Sequence, residues 1–205
     1  MILKLPLIIF LFILSCTAHS KLFCDLEFIY KAHKMDKNFI HKAYEIANKA
    51  HQGIMRRHEG LPYIVHPERV ARNALQYTKD QDLITAALLH DVLEDSSYTY
   101  SELKNLFGKR VANLVQELTS DQKLINQLGK TVYLSRKLVT ISDDALLIKL
   151  LDRKDNLGDL KLASRDFVRK YSKSTRIILN SIKSRKLTSK HKQLIKEIET
   201  ILKSL

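Results

Sequence analysis

Two histidines and several carboxylates of this chain stand in stretches that otherwise read as apolar helix faces. In "TAALLHDVLEDS" His90 lies beside Asp91, and after two apolar residues Glu94 lies beside Asp95. If the stretch is helical, His90 and Glu94 are one turn apart, as are Asp91 and Asp95, so four ionisable groups crowd one face. The preceding "ITAALL" puts that face near a core, where unpaired charge is costly. A metal ion is the obvious compensation. His66 in "YIVHPERV" and Asp152 in "LLIKLLDRKDNL" have comparable apolar surroundings, and Asn156 shares a helix face with Asp152. Singly, each has a plainer explanation: a histidine at a helix start usually caps or hydrogen-bonds, and Asp152 beside Arg153 can be an ion pair. Together they make a mixed nitrogen and oxygen donor set suited to manganese, iron or zinc. Cys16 and Cys24 both fall in the first 24 residues, so the body of the chain has no thiolate ligand and no disulfide framework.

The elements that must position these groups are helical. Only five glycines and three prolines interrupt 205 residues, and apolar residues recur at three and four positions instead of alternating. Phe39, Ile40, Ala43, Ile46, Ala47 and Ala50 predict a first helix ending near Gly53; "GIMRRHEGLPYIV" then reads as a loop. His66-Pro67 opens the next helix, because proline suits a first turn and biases its predecessor away from helix. Helices are expected over 68–77, over 81–94 as one long element, in "TYSELKNLFG" with Thr99 or Ser101 as cap and Gly108 as stop, and in "KRVANLVQEL". Four more are expected over 131–139, 143–157, 166–183 and 188–204, the last with Leu194, Ile195, Ile198, Ile201 and Leu202 on its apolar side. The prediction is an all-α body over 35–205, with a core at 35–160 carrying the site and basic helices at 161–205.

Net charge is +13, and 45% hydrophobic content is ample for one core. The basic excess is C-terminal: residues 161–205 hold thirteen Lys or Arg against three acids. Such a face attracts nucleic acid or an anionic substrate, although lysines on solvated helix faces are the plainer reading. Residues 1–34 resemble an export leader, with Lys4, an apolar run from Leu5 to Leu14 and small residues ending in Ala18-His19-Ser20. That run is too short to span a bilayer comfortably, so no transmembrane domain is expected. Met35 offers a second reading, a start for a cytoplasmic domain preceded by an extension of the reading frame.

The order His66, His90-Asp91, Asp152 resembles the metal-dependent phosphohydrolases of the HD-domain superfamily. More narrowly, "AHQGIMRRHEGLPYIVHPERVA", "TAALLHDVLEDS" and "IKLLDRKDNLGDL" are similar to three signatures of RelA/SpoT-type (p)ppGpp hydrolases, over about residues 37–160. The resemblance implies an all-α HD-domain helical bundle that hydrolyses the 3′-pyrophosphate of (p)ppGpp to GDP or GTP and pyrophosphate. It implies that His66, His90, Asp91 and Asp152 hold one Mn2+ or another divalent metal. Glu94 and Asp95 match the acidic pair that activates water, Arg56 and Arg57 a loop that contacts the nucleotide, and Asn156 a residue lining its pocket. The partner implied is a small-molecule nucleotide in the cytoplasm, with no specific nucleic acid. Three departures bear on the substrate: Arg57 where the family commonly has Lys, a "RRHEGLPYIVH" loop one residue longer, and Asp155 in place of His, which is expected near the metal or nucleotide and able to repel phosphate. The remaining readings are an HD phosphohydrolase acting on another nucleotide or phosphate ester, and a non-catalytic protein whose basic helices bind nucleic acid.

Overall fold

A computed structural model describes residues 35–205, and over them the chain is all-α. The leader and both cysteines lie outside the described residues. The helices are α1 (Lys37–Ala50), α2 (Val65–Ala74), α3 (Gln81–Leu89), α4 (Val92–Asp95), α5 (Tyr100–Leu118), α6 (Gln122–Leu128), α7 (Lys130–Thr140), α8 (Asp143–Gly158), α9 (Arg165–Ser181) and α10 (Ser189–Ser204). Short 3-10 turns follow α8 and α9.

Caps explain most boundaries. The Asp36, Asp80 and Asp121 carboxylates accept from backbone N–H groups at the starts of α1, α3 and α6. Thr99 and Glu102 form a reciprocal capping box on α5. Gly108 breaks α5 at φ 84° and ψ 167°, so the stop expected there is a kink between two helical halves. The short α6 lies outside the expected helices; none of its residues is fully buried, although Ile125 packs partly on the core.

The centre of the bundle is α3 and α8. Leu83, Ile84, Ala86, Ala87, Leu88 and Leu89 of α3 are buried, as are Leu146, Ile148, Leu150 and Leu151 of α8. Each large aliphatic removed from water stabilises by about 1.5–3 kcal/mol. Helix α3 packs against α1, α2 and α5, and α8 packs against α2 and α10. Alanines at 86 and 87 present only a methyl group, so neighbouring helices approach closely. Helix α9 lies on α7 and α10 lies on α8, so the basic C-terminal helices cover the bundle; α10 buries Leu194, Ile195, Ile198 and Leu202, with Ile201 partly buried.

One expectation is corrected. The element over 81–94 is not one helix: α3 stops at Leu89, His90 and Asp91 form a turn, and a four-residue α4 restarts at Val92. The segment read as a loop is a loop, pinned into a hairpin by one isolated bridge, Met55 to Pro62, with bonds from Arg56 N–H to Leu61 O (2.7 Å) and Tyr63 N–H to Ile54 O (2.9 Å).

Replacing Gly108 with Ala forces a Cβ into a backbone region open essentially to glycine alone. No neighbour crowds the position, so the cost is conformational, about 1–3 kcal/mol of unfolding free energy by urea denaturation. Lys137 provides a pH test. Burial, then the Lys149 ammonium, lowers its pKa to about 8, while its Nζ donates to Thr119 O and lies 3.3 Å from the Tyr133 hydroxyl. Between that value and the ordinary lysine value of about 10.4, the unfolded chain binds one more proton than the folded one. Stability contributed by this residue therefore rises with pH over that window, and Lys137→Met removes that part of the rise in denaturation curves at pH 7.5 and 9.5.

Candidate metal centre

The turn at His90-Asp91 is the local feature on which the site depends. In a regular helix adjacent side chains diverge by about 100°. The interruption lets both face one point. His90 Nδ1 lies 2.8 Å from Ala87 O, so Nδ1 carries a proton and Nε2 is the nitrogen left to face a ligand. From α2, His66 approaches with Nε2 at 3.9 Å from Asp91 Oδ2 and 3.3 Å from Asp152 Oδ1. His90 Nε2 is 3.1 Å from Asp91 Oδ2, yet it is buried without a partner in hydrogen-bond geometry.

Three ligand atoms, one each from His66, His90 and Asp152, lie within 4.8 Å of one another. Ligand atoms around a cation bonded at about 2.1 Å stand roughly 3.0–3.4 Å apart. The spacing, the orphaned Nε2 and the donor types fit a divalent metal, with Asp91 Oδ2 beside the three. The electrostatics agree. Burial opposes charge on His66, but hydrogen bonds to Asp152 and Asp155 outweigh it and raise the imidazole pKa to about 9. Burial would raise the Asp152 carboxyl; the Lys149 ammonium, 2.9 Å away, and His66 hold it well below the carboxylate range instead. His90 does the same for Asp91 against its burial. A proton on His66 and the Lys149 ammonium thus supply positive charge to these carboxylates.

Asp91 and Asp152 open onto a cavity of about 490 Å³, lined also by Glu94, Asp95, Arg57, Tyr63, Lys130, Lys149, Arg153 and Asn156. Burial, then Asp91 and Glu94, push the Asp95 carboxyl up to about 6. Glu94 Oε1 accepts from Ser120 N–H at 2.7 Å. Asn156 donates to Asp152 O at 3.0 Å and to its carboxylate.

The structure brings together all of the expected residues except Arg56. Its buried guanidinium donates to Asn156 Oδ1 at 3.0 Å and to Asp159, and it does not line the cavity; only Arg57 of the pair does. Asp155 stands beside the candidate ligand His66, with Arg69 Nε at 3.1 Å from Oδ1, but it is absent from the cavity wall where it could repel phosphate. Its charge is absorbed behind the site.

Residues that sequence patterns missed include Tyr63, whose hydroxyl donates to Asp91 at 2.8 Å. Buried His51, its pKa lowered to about 4 chiefly by burial, stands 3.5 Å from Asp95. Phe167 and Tyr171 of α9 stack at 5.9 Å, with Arg57 over Phe167 and Arg153 over Tyr171. No local spacing could have found them, since they reach the site from the opposite end of the chain.

An HD domain model matches residues 43–187, and the chain belongs to the HD-domain family. It is 36% identical over 153 residues to the guanosine-3′,5′-bis(diphosphate) 3′-pyrophosphohydrolase of Aquifex aeolicus, covering 74% of this chain and 22% of that protein. It is 37% identical over 141 residues to the bifunctional (p)ppGpp synthase/hydrolase SpoT of Escherichia coli, covering 66% of this chain and 20% of that one. The chain therefore spans about a fifth of these curated relatives. Its fold matches, with a TM-score of 0.72 and 24% identity over 83% of this chain and 97% of the other, a structure described as a metazoan ortholog of SpoT that hydrolyzes ppGpp and plays a role in starvation responses. No described helix is long and apolar enough to cross a membrane.

Titration of chelator-treated protein with a divalent cation should raise its melting temperature, corresponding to about 2.7 kcal/mol at a free concentration 100 times Kd. His90→Ala should abolish the increase. Because the cation must displace the His66 proton, apparent affinity should strengthen as pH rises toward about 9.

Proposed function

We propose that this chain hydrolyses the 3′-pyrophosphate of (p)ppGpp to GDP or GTP and pyrophosphate. His66, His90, Asp91 and Asp152 would hold Mn2+ or another divalent cation. The observation that carries this reading is the meeting, in one cavity, of the metal-ligand carboxylates, an acidic pair and four cationic side chains. The similarity to named pyrophosphohydrolases supports the choice of substrate.

A cation in this cluster supplies Lewis acidity, lowering the pKa of water and polarising a phosphoryl oxygen. The residues of the chain do the rest. Asp95, its carboxyl pushed up to about 6, suits a base that takes a proton from the attacking water. Glu94, tethered through Ser120, stands beside it and its charge helps keep the Asp95 carboxyl raised. Water oxygen bonds to the phosphorus attached to the ribose 3′-oxygen, that P–O bond breaks, and the departing 3′-oxygen takes up a proton. Arg57, Lys130 and Arg153 face the cavity where phosphate charge must be met, Arg57 and Arg153 with the planar fork that suits phosphate. Phe167 and Tyr171 add the apolar surface a nucleoside needs. Since these two come from the C-terminal helices, that region is better read as a wall of the nucleotide cavity than as a separate nucleic-acid surface. A guanine nucleotide substrate supports the cytoplasmic reading over export.

The test is incubation with Mn2+ and ppGpp or GTP, following pyrophosphate against orthophosphate. Pyrophosphate from ppGpp alone is expected; orthophosphate from GTP would mean a broader phosphohydrolase. Glu94→Gln and Asp95→Asn should each lower kcat by about 10²–10⁴ while leaving metal-induced stabilisation in place, and Asp91→Ala should lose both.

A further inference from the structure

We infer that Asp155 is a positioning residue for the metal centre, acting through His66 to set the strength and geometry with which a divalent cation is held. This rests on the metal-centre reading above. Asp155 Oδ2 lies 2.7 Å from His66 Nδ1, on the side of the ring away from Asp152 and Asp91. The two side chains are 7% and 1% exposed, so water does not compete for the bond. Asp155 stands three residues after Asp152 on α8, and one helix therefore supplies a ligand to the site and a brace to a ligand from another helix.

The carboxylate is itself fixed. Its Oδ1 is 3.1 Å from Arg69 Nε, and its Oδ2 is 3.8 Å from Arg56 Nη2. Arg69 is held in turn by a forked pair with Glu59, one arm at 2.8 Å. Asp155 is thereby held behind the ring, away from the cavity. A buried carboxylate on Nδ1–H keeps the opposite nitrogen aimed at a cation and makes it a stronger donor. His90 has only the neutral carbonyl of Ala87 in the same place. The two imidazoles are unequal ligands, and His66 is the charge-braced one.

An ion-pair brace between α2, the hairpin and α8 is the competing role, and metal binding without substrate separates the two. Co2+ serves as probe, its visible absorption reporting ligand geometry and its titration giving Kd. Asp155→Ala is expected to weaken Co2+ binding about 10–100-fold and to shift the visible bands, and Asp155→Asn, which keeps an acceptor without the charge, to fall between it and wild type. Arg69→Gln, which frees Asp155 without touching His66, should weaken binding less than Asp155→Ala. Wild-type affinity and spectrum in a folded Asp155→Ala protein would leave Asp155 a structural brace only and overturn the assignment. If that variant does not fold, the nearly isosteric Asp155→Asn decides in the same way. Failure of the metal centre itself looks different: the wild-type chain would not bind Co2+, or His90→Ala would bind it equally well.

Discussion

The constraint that shapes this molecule is the burial of unlike charge at one point of a helical bundle. His66, His90 and Asp152 are nearly withdrawn from water, and Asp91 is close to them. A carboxylate there is tolerable only with a positive partner at short range. Lys149 and the protonated form of His66 provide that charge on one side. Arg56 and Arg69 provide it behind the site, where Glu59, Asp155 and Asp159 are gathered. The bundle is thus arranged as two charge clusters back to back, with the His66 ring as the element they share.

Local backbone interruptions make this arrangement possible. The turn between α3 and α4 aims His90 and Asp91 together, and Asp91 O accepts from the N–H groups of Glu94 and Asp95 at 3.0 Å each, restarting the helix at once. The pinned hairpin serves a second purpose, separating adjacent arginines by role. Arg56 is turned inward to Asp159 and Asn156, while Arg57 is left facing the cavity.

The C-terminal helices contribute more than basic charge. Their apolar residues pack on α7 and α8, and α9 places Phe167 and Tyr171 in the cavity wall beside Arg57 and Arg153. Charge counting treats 161–205 as a separate basic region, because it sums along the chain and is blind to which face of a helix is covered.

What the sequence by itself determined is whatever depends on short spacing. Helical periodicity, the Thr99 and Gly108 boundaries, and the candidate ligands His66, His90, Asp91 and Asp152 were all legible, because helix faces repeat within four residues and buried polar groups stand out against apolar neighbours. Tertiary structure decided the rest. The break after Leu89 was hidden because "ALLHDVLED" fits an unbroken helix equally well, and only the convergence of α2, α3 and α8 makes the turn worthwhile. The inward role of Arg56, the retreat of Asp155 behind His66, and the entry of Tyr63, Lys149, Phe167 and Tyr171 into the site rest on contacts between different elements. Side-chain direction at such contacts follows from helix packing and charge compensation across the bundle, which no local pattern encodes.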